Sequence, residues 1–254
     1  MKKNVLVTGG TKGLGKAIAT EFLTKGYNVV ANYHSDDRSA ENLKKTMGDF
    51  DGTLVVMKAD ISNEDEMVEL CVKAQQQFGS IDIFVHNAVK VLRYDLLSIT
   101  DEIWKKAIGT NLTPLLIAAK QLVPTMKKNR WGRIFAISSL GSEMAVDGYA
   151  TVGIPKAGLE AMIRYMAAEF GPFGITANTI SPGTLDTEAA RLANPNFAAR
   201  LAKARETIPS YRPMEIADVA KVIFQLSQDE MEMVNGEVIR VDGGQRIKAI
   251  VDGS

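Results

Sequence analysis

The sequence is poor in the groups that cross-link a chain, hold a metal or enter a membrane. It has one cysteine, Cys71, which excludes an internal disulfide. Cys71 lies in the helical pattern NEDEMVELCVKAQQQF without metal-ligand company, and reads as a buried small hydrophobe. The two histidines, His34 and His86, are far apart and lack metal-ligand spacing. No apolar run approaches the roughly 18 residues of a membrane helix. MKKNVLVTGG has too few apolar residues before its glycines for a secretory leader. Neither sign of charge is in excess: Lys plus Arg and Asp plus Glu both number 30, which argues against a nucleic-acid binder. These absences leave a cytoplasmic, reduced, soluble protein as the expectation.

Short β-branched runs alternating with helical patterns fill the chain instead. The strands expected are 4–8, 27–33, 53–60, 81–87, 133–138, 175–181 and 237–242. Between them fall helices over 14–25, about 63–78, about 101–128, one carrying Lys156, and one around 216–228. Most of these strands are continuously apolar, as strands buried on both faces are. The pattern predicts a single α/β domain, 1–254, with a doubly wound parallel sheet of about seven strands flanked by helices. Only 183–213 breaks the rhythm, with helical segments and no strand after the C-terminal end of one. Ligands of open α/β sheets bind at such ends, so this stretch is read as a substrate lid.

The first strand runs straight into GGTKGLG. Gly9, Gly13 and Gly15 permit a tight turn and close backbone approach to a pyrophosphate, and the following helix N-terminus supplies amides and a favourable dipole. Thr11, Lys12 and Leu14 complete this loop. The second strand ends Asn32-Tyr33-His34-Ser35, with no acid until Asp36. An acid there would hold the ribose hydroxyls of NAD. A neutral strand end with Lys12 in the glycine loop predicts NADPH instead, with Asp36, Asp37 and Arg38 as the solvated start of the next helix.

These residues, with Asp60-Ile61, His86-Asn87-Ala88, Asn111, Ser138-Ser139, Lys156, SPGT at 181–184 and VDGG at 241–244, resemble the short-chain dehydrogenase/reductase family over the whole chain. The resemblance implies a Rossmann-type fold and a homotetramer. It also implies that Asp60 and Ile61 contact the adenine, that Asn87, Ala88 and Val89 line the cofactor, and that Gly183, Thr184 and Leu185 flank the nicotinamide end. His86 and Val89 depart from the family's usual NNAG.

A larger departure lies at YATVGIPK, 149–156. The family's usual acid stands four residues before the lysine, and that position is Val152. Tyr149 stands seven before it. On a helix four residues rise about 6 Å and seven about 10.5 Å, so the two positions are not equivalent. Pro155 suits the first turn of a helix beginning near 151–153, with Tyr149 in the loop ahead and Gly148 and Gly153 easing the backbone. The tyrosine-x6-lysine pattern, SSLGS, ARETIP and RPMEI resemble the NADPH-dependent type III enoyl-acyl-carrier-protein reductases of fatty-acid biosynthesis.

That resemblance implies hydride transfer to the β-carbon of a trans-2-enoyl thioester carried on acyl carrier protein or coenzyme A. Charge then develops on the thioester oxygen, where Tyr149 is the expected donor. Lys156 binds the nicotinamide ribose, and Ser139 either assists the substrate oxygen or lines the pocket. Asn111 either supports Lys156 through water or ties the helix backbone. A 3-oxoacyl thioester or other ketone reductase is the alternative, and an NADP-binding sensor without catalysis a further one. Arg191, Arg200, Lys203 and Arg205 in the lid either meet an acidic carrier protein or form a solvated face.

Overall fold

The computed structural model describes residues 2–46, 50–193 and 196–247. Seven strands form one parallel sheet: β1 (Asn4–Val7), β2 (Asn28–Tyr33), β3 (Leu54–Lys58), β4 (Ile83–His86), β5 (Gly132–Ile137), β6 (Ile175–Pro182) and β7 (Val238–Val241). Their order is β3-β2-β1-β4-β5-β6-β7. The chain winds outward from β1 in both directions, so β2 and β4 part on either side of it. That divergence opens a crevice at the strands' C-terminal ends.

The strand alternation decides which helices cover which face. Val5, Leu6 and Val7 are all fully buried. Leu6 joins Phe84, Leu115, Ile134 and Ile163 in one layer, while Val5 and Val7 join Phe22, Ile83, Val85 and Ile223 in the other. At about 1.5–3 kcal/mol per buried aliphatic side chain, both faces of the sheet contribute to stability. Helices α1 (Gly13–Thr24) and α9 (Ile216–Leu226) lie over the second layer, where the rings of Phe22 and Phe224 meet edge to face at 5.6 Å. Cys71 is buried in α3 (Glu64–Phe78), where burial pushes its thiol up to about 12.

The helix expected over 101–128 is two: α4 (Asp101–Asn111) and α5 (Thr113–Asn129), separated at Leu112. Pro114 opens α5, a position where its missing amide is no loss. The helix of Lys156, α6, begins at Ala150 and ends at Phe170, with Tyr149 as its N-cap residue. Pro155 therefore sits in the second turn rather than the first. The stretch expected as a lid contains α7 (Glu188–Ala193) and α8 (Phe197–Thr207), and its residues 194 and 195 lie outside the described residues. Helix α2 (Asp37–Thr46) completes the set. Among the described residues, no helix is long and apolar enough to cross a membrane, and no group of three His, Cys, Asp or Glu side chains could hold a metal.

Candidate active site

A cavity of about 580 Å³ opens along the C-terminal ends of the strands, and the glycine loop forms one wall of it. Gly9 there has φ +62°, and a Cβ on Gly15 would sit 2.1 Å from the Gly9 carbonyl oxygen, so α1 approaches the loop only with glycine at 15. Asn87 Nδ2 donates to the carbonyls of Thr8 (2.9 Å) and Gly9 (3.3 Å). The Thr8 hydroxyl accepts from the amides of Asn87 and Ala88, pulling the segment after β4 against β1. Helix α1 starts with no side-chain cap and no acid in its first turn. Its amides and dipole thus face the cavity unopposed, and the loop fits a dinucleotide pyrophosphate.

Gly9, Thr11, Lys12, Gly13, Leu14 and Gly15 all line this wall. Asn32, Tyr33, His34, Ser35, Asp60 and Ile61 line the end beyond it. Asn32 is buried, and its Nδ2 donates to the Ala59 carbonyl, fixing β2 to β3 beneath the cavity. The strand end is not neutral as expected. Asp36 also lines the cavity, and Lys12 Nζ lies 3.5 Å from its carboxylate and 2.6 Å from that of Glu188 on α7. The turn after β2 folds Asp36 back towards the glycine loop, while Asp37 stays exposed and takes Lys58 and the Tyr33 hydroxyl.

Ala88 and Val89 line the middle of the cavity with Asn87. Gly183, Thr184 and Leu185 close its far end. Gln245 braces this loop by accepting from the Thr184 amide at 2.9 Å, and Arg246 donates to the Pro182 carbonyl at 2.8 Å. Neither Gln245 nor Arg246 carried a signal beyond its place after VDGG.

Ser139, Tyr149 and Lys156 converge on the cavity from the loop after β5 and the start of α6. Lys156 is 3% exposed, and its ammonium donates to the Ile137 carbonyl at 2.6 Å. Burial lowers its pKa to about 8. Tyr149 is raised from its ordinary value by burial, against which the neighbouring Ser139 hydroxyl and the Arg200 charge pull downward. The Tyr149 ring lies on Gly141, where a Cβ would come within 2.5 Å of it. Val152, four residues before Lys156, is fully buried and lines no part of the cavity.

Asn111 ties backbone segments together, the second of the two roles open to it. It is fully buried and does not line the cavity. Its Oδ1 accepts from the Lys90 amide at 2.8 Å, and its Nδ2 donates to the Lys90 carbonyl at 3.0 Å and the Thr151 carbonyl at 3.3 Å. Behind the site, His86 is fully buried beside the Thr8 hydroxyl. Burial first, and then the Lys156 charge, depress its pKa to about 3. The four lid cations do not share one solvated face: Arg191 is bound to Asp186 at 2.9 Å, and Arg200 turns to the cavity.

Residues 9–246 match a family model described as enoyl-(acyl carrier protein) reductase. The chain is 29% identical over 244 residues to the 3-oxoacyl-[acyl-carrier-protein] reductase FabG of Staphylococcus epidermidis, covering 96% of this chain and 99% of that one. It is 30% identical over 245 residues to the 1-cyclohexenylcarbonyl-CoA reductase of Streptomyces collinus, covering 96% and 87%. A solved structure from Bacillus thuringiensis, provisionally assigned as a 3-oxoacyl-reductase, superposes with a TM-score of 0.83 at 29% identity, over 99% of this chain and 100% of that one. The chain belongs to the short-chain dehydrogenase/reductase family of oxidoreductases.

Proposed function

We propose that this chain transfers hydride to the β-carbon of an acyl thioester, and that the thioester is a trans-2-enoyl one. The carrying observation is the pair Tyr149 and Val152. The only side chain at tyrosine-like spacing that lines the cavity is Tyr149, among the described residues, and the position a ketone reductase would use holds a buried valine. In enoyl reduction the oxygen that gains charge is the thioester's, three bonds from the carbon that takes hydride. A donor displaced from the ketone position suits that oxygen.

NADPH, when bound, supplies the hydride. Residues 9–15 would hold its pyrophosphate and Lys156 its nicotinamide ribose. Tyr149, kept protonated by burial, donates to the thioester oxygen, with Ser139 orienting its hydroxyl. Leu140, Val146, Leu192 and the buried Phe197 give the adjoining wall an apolar lining suited to an acyl chain. Lys12 supports NADPH over NADH, provided the 2′-phosphate displaces Glu188 from it. For the homotetramer, Leu97 is fully exposed and Trp104 on α4 and Leu116 on α5 are partly so, an apolar set suited to burial between copies; light scattering tests that assembly.

The second reading is reduction of a 3-oxoacyl thioester, where hydride again enters at the β-carbon but the proton goes to the oxygen on that carbon. Two of the three compared proteins are named for that reaction, and by names alone it leads. The name 1-cyclohexenylcarbonyl-CoA describes a conjugated enoyl thioester and supports the first. NADPH oxidation with crotonyl-CoA beside acetoacetyl-CoA, in wild type and Tyr149→Phe, separates the two. Turnover of crotonyl-CoA that is lost in Tyr149→Phe is the expected result; turnover of acetoacetyl-CoA alone would replace the first reading by the second.

A further inference from the structure

Helix α8 brings a cation to the reacting end of the cavity that the mechanism above leaves unused. Arg200 is half-buried and lines the cavity together with Val146 and Tyr149. Of the four other lining cations, Lys12 is engaged by Glu188 and Asp36, Lys156 by the Ile137 carbonyl, and Arg246 by Ser181, Pro182 and Glu143, while Lys90 lies in the field of the Asp60 carboxylate at the glycine-loop end. Among the described residues no carboxylate or carbonyl accepts from the Arg200 guanidinium.

The carboxylates of the cavity lie elsewhere. Asp36, Asp60 and Glu188 line it at the glycine-loop end. Glu143 is bound to Arg240 at 2.8 Å, and Glu160 accepts from the Ser138 hydroxyl at 2.5 Å. The end near Tyr149 is thus faced by two cations, Lys156 and Arg200, and by no lining carboxylate. Tyr149 itself feels the second of these, since the Arg200 charge opposes the rise that burial imposes on its phenol. The half-buried Arg200 guanidinium therefore has N–H groups to offer an anion in the cavity.

We propose that Arg200 is a catalytic residue that donates to the thioester oxygen of the substrate beside the Tyr149 hydroxyl. This rests on the enoyl thioester reading. A proton with two electrons, the hydride that NADPH would supply in becoming NADP+, enters at the β-carbon, the π pair of the C=C bond shifts towards the thioester carbonyl, and negative charge collects on its oxygen. A proton from solvent then bonds to the α-carbon and the carbonyl re-forms, so nothing stays attached to the chain. Two donors on one developing oxyanion share the charge more effectively than one. Arginine suits the role because its charge persists at any working pH and its planar fork offers two N–H groups to one site.

The test compares wild type, Arg200→Gln and Arg200→Lys, each with NADPH and either crotonyl-CoA or acetoacetyl-CoA. With wild type active on crotonyl-CoA, Arg200→Gln should lose kcat by roughly a hundredfold. Its Kd for NADPH should be unchanged, and Arg200→Lys should fall between. A kcat for Arg200→Gln within threefold of wild type would overturn the proposal while leaving the enoyl reading intact. Should wild type reduce acetoacetyl-CoA alone, the enoyl reading fails and Arg200 is judged on KM for that substrate. A rise of roughly tenfold in Arg200→Gln keeps it at the thioester oxygen, and no rise removes it. An ultraviolet titration of the Tyr149 phenol, with Tyr149→Phe as blank, gives a readout that a merely structural role would not move. Arg200→Gln should shift it to higher pH, and an unmoved curve counts against the pairing.

Discussion

Asn111 donates its carboxamide to the Thr151 carbonyl at 3.3 Å, the acceptor that Pro155, four residues on, leaves without a helical amide. A proline in the second turn of α6 is thereby reconciled with a buried backbone, because the missing donor comes from the end of α4. Asn111→Ala should lower unfolding stability by about 1–3 kcal/mol, the usual consequence of stranding buried acceptors. In a Pro155→Ala background, where residue 155 regains its amide, that loss should shrink by roughly 1 kcal/mol. Urea denaturation of the four proteins measures the coupling, and strictly additive losses would refute it.

The seating of Tyr149 on Gly141 makes a prediction about rate rather than stability. Gly141→Ala puts a methyl 2.5 Å from the Tyr149 ring as it now lies, and the ring must turn away. With the donor misplaced by an ångström or so, kcat should drop by roughly a hundredfold while NADPH binding holds. Val152→Tyr, the substitution that would restore the family's usual spacing, should instead overpack a fully buried site. The expectation is a loss of roughly 1–3 kcal/mol without gain of ketone reductase activity. Recovery of acetoacetyl-CoA reduction in Val152→Tyr would contradict the placement argued for the donor.

Lys12 is held between Glu188 and Asp36, so a 2′-phosphate must compete with two carboxylates for one ammonium. Glu188→Gln removes the nearer competitor and should tighten NADPH several-fold, leaving NADH almost unchanged. Lys12→Ala should weaken NADPH by roughly tenfold, in line with loss of one charge-assisted hydrogen bond of about 1.5 kcal/mol. Equal shifts for both dinucleotides would show that neither side chain reads the phosphate.

The pH dependence follows from two buried groups with depressed pKa values. Lys156 is charged below about 8, so kcat/KM should decline as pH rises through that value, and Lys156→Arg should abolish the decline in whatever activity remains. His86 binds its proton near pH 3 when folded, well below its ordinary 6.5. Its contribution to stability is therefore complete above about 6.5 and is lost as pH falls towards 3. His86→Asn should flatten the wild-type stability curve over that window; identical curves would mean that other groups carry the acid sensitivity.

The sheet was legible because its strands are buried on both faces and read as unbroken apolar runs. The glycine loop was legible because a strand, a turn of glycines and a helix follow one another directly. What escaped depended on partners distant in sequence. The break at Leu112 falls three residues past Gly109, which itself stays helical, and only Pro114 hinted at a new helix start. Asp36 looked like the solvated opening of α2, and its place beside Lys12 appears only when the turn after β2 closes. The partner of Asn111 lies 40 residues away, beyond any local pattern. Arg200 read as one cation among four, since its inward direction comes from the seating of α8 around the buried Phe197.

Helices α7 and α8 touch both ends of the cleft, Glu188 at the glycine loop and Arg200 opposite Tyr149. Occupancy at one end should therefore bear on the other, since Glu188 and Arg200 lie only twelve residues apart in the chain. If a dinucleotide draws Lys12 away from Glu188 before the thioester arrives, the two substrates should bind in a compulsory order. The oxidised dinucleotide should then compete with its reduced form and act as a mixed inhibitor against the thioester.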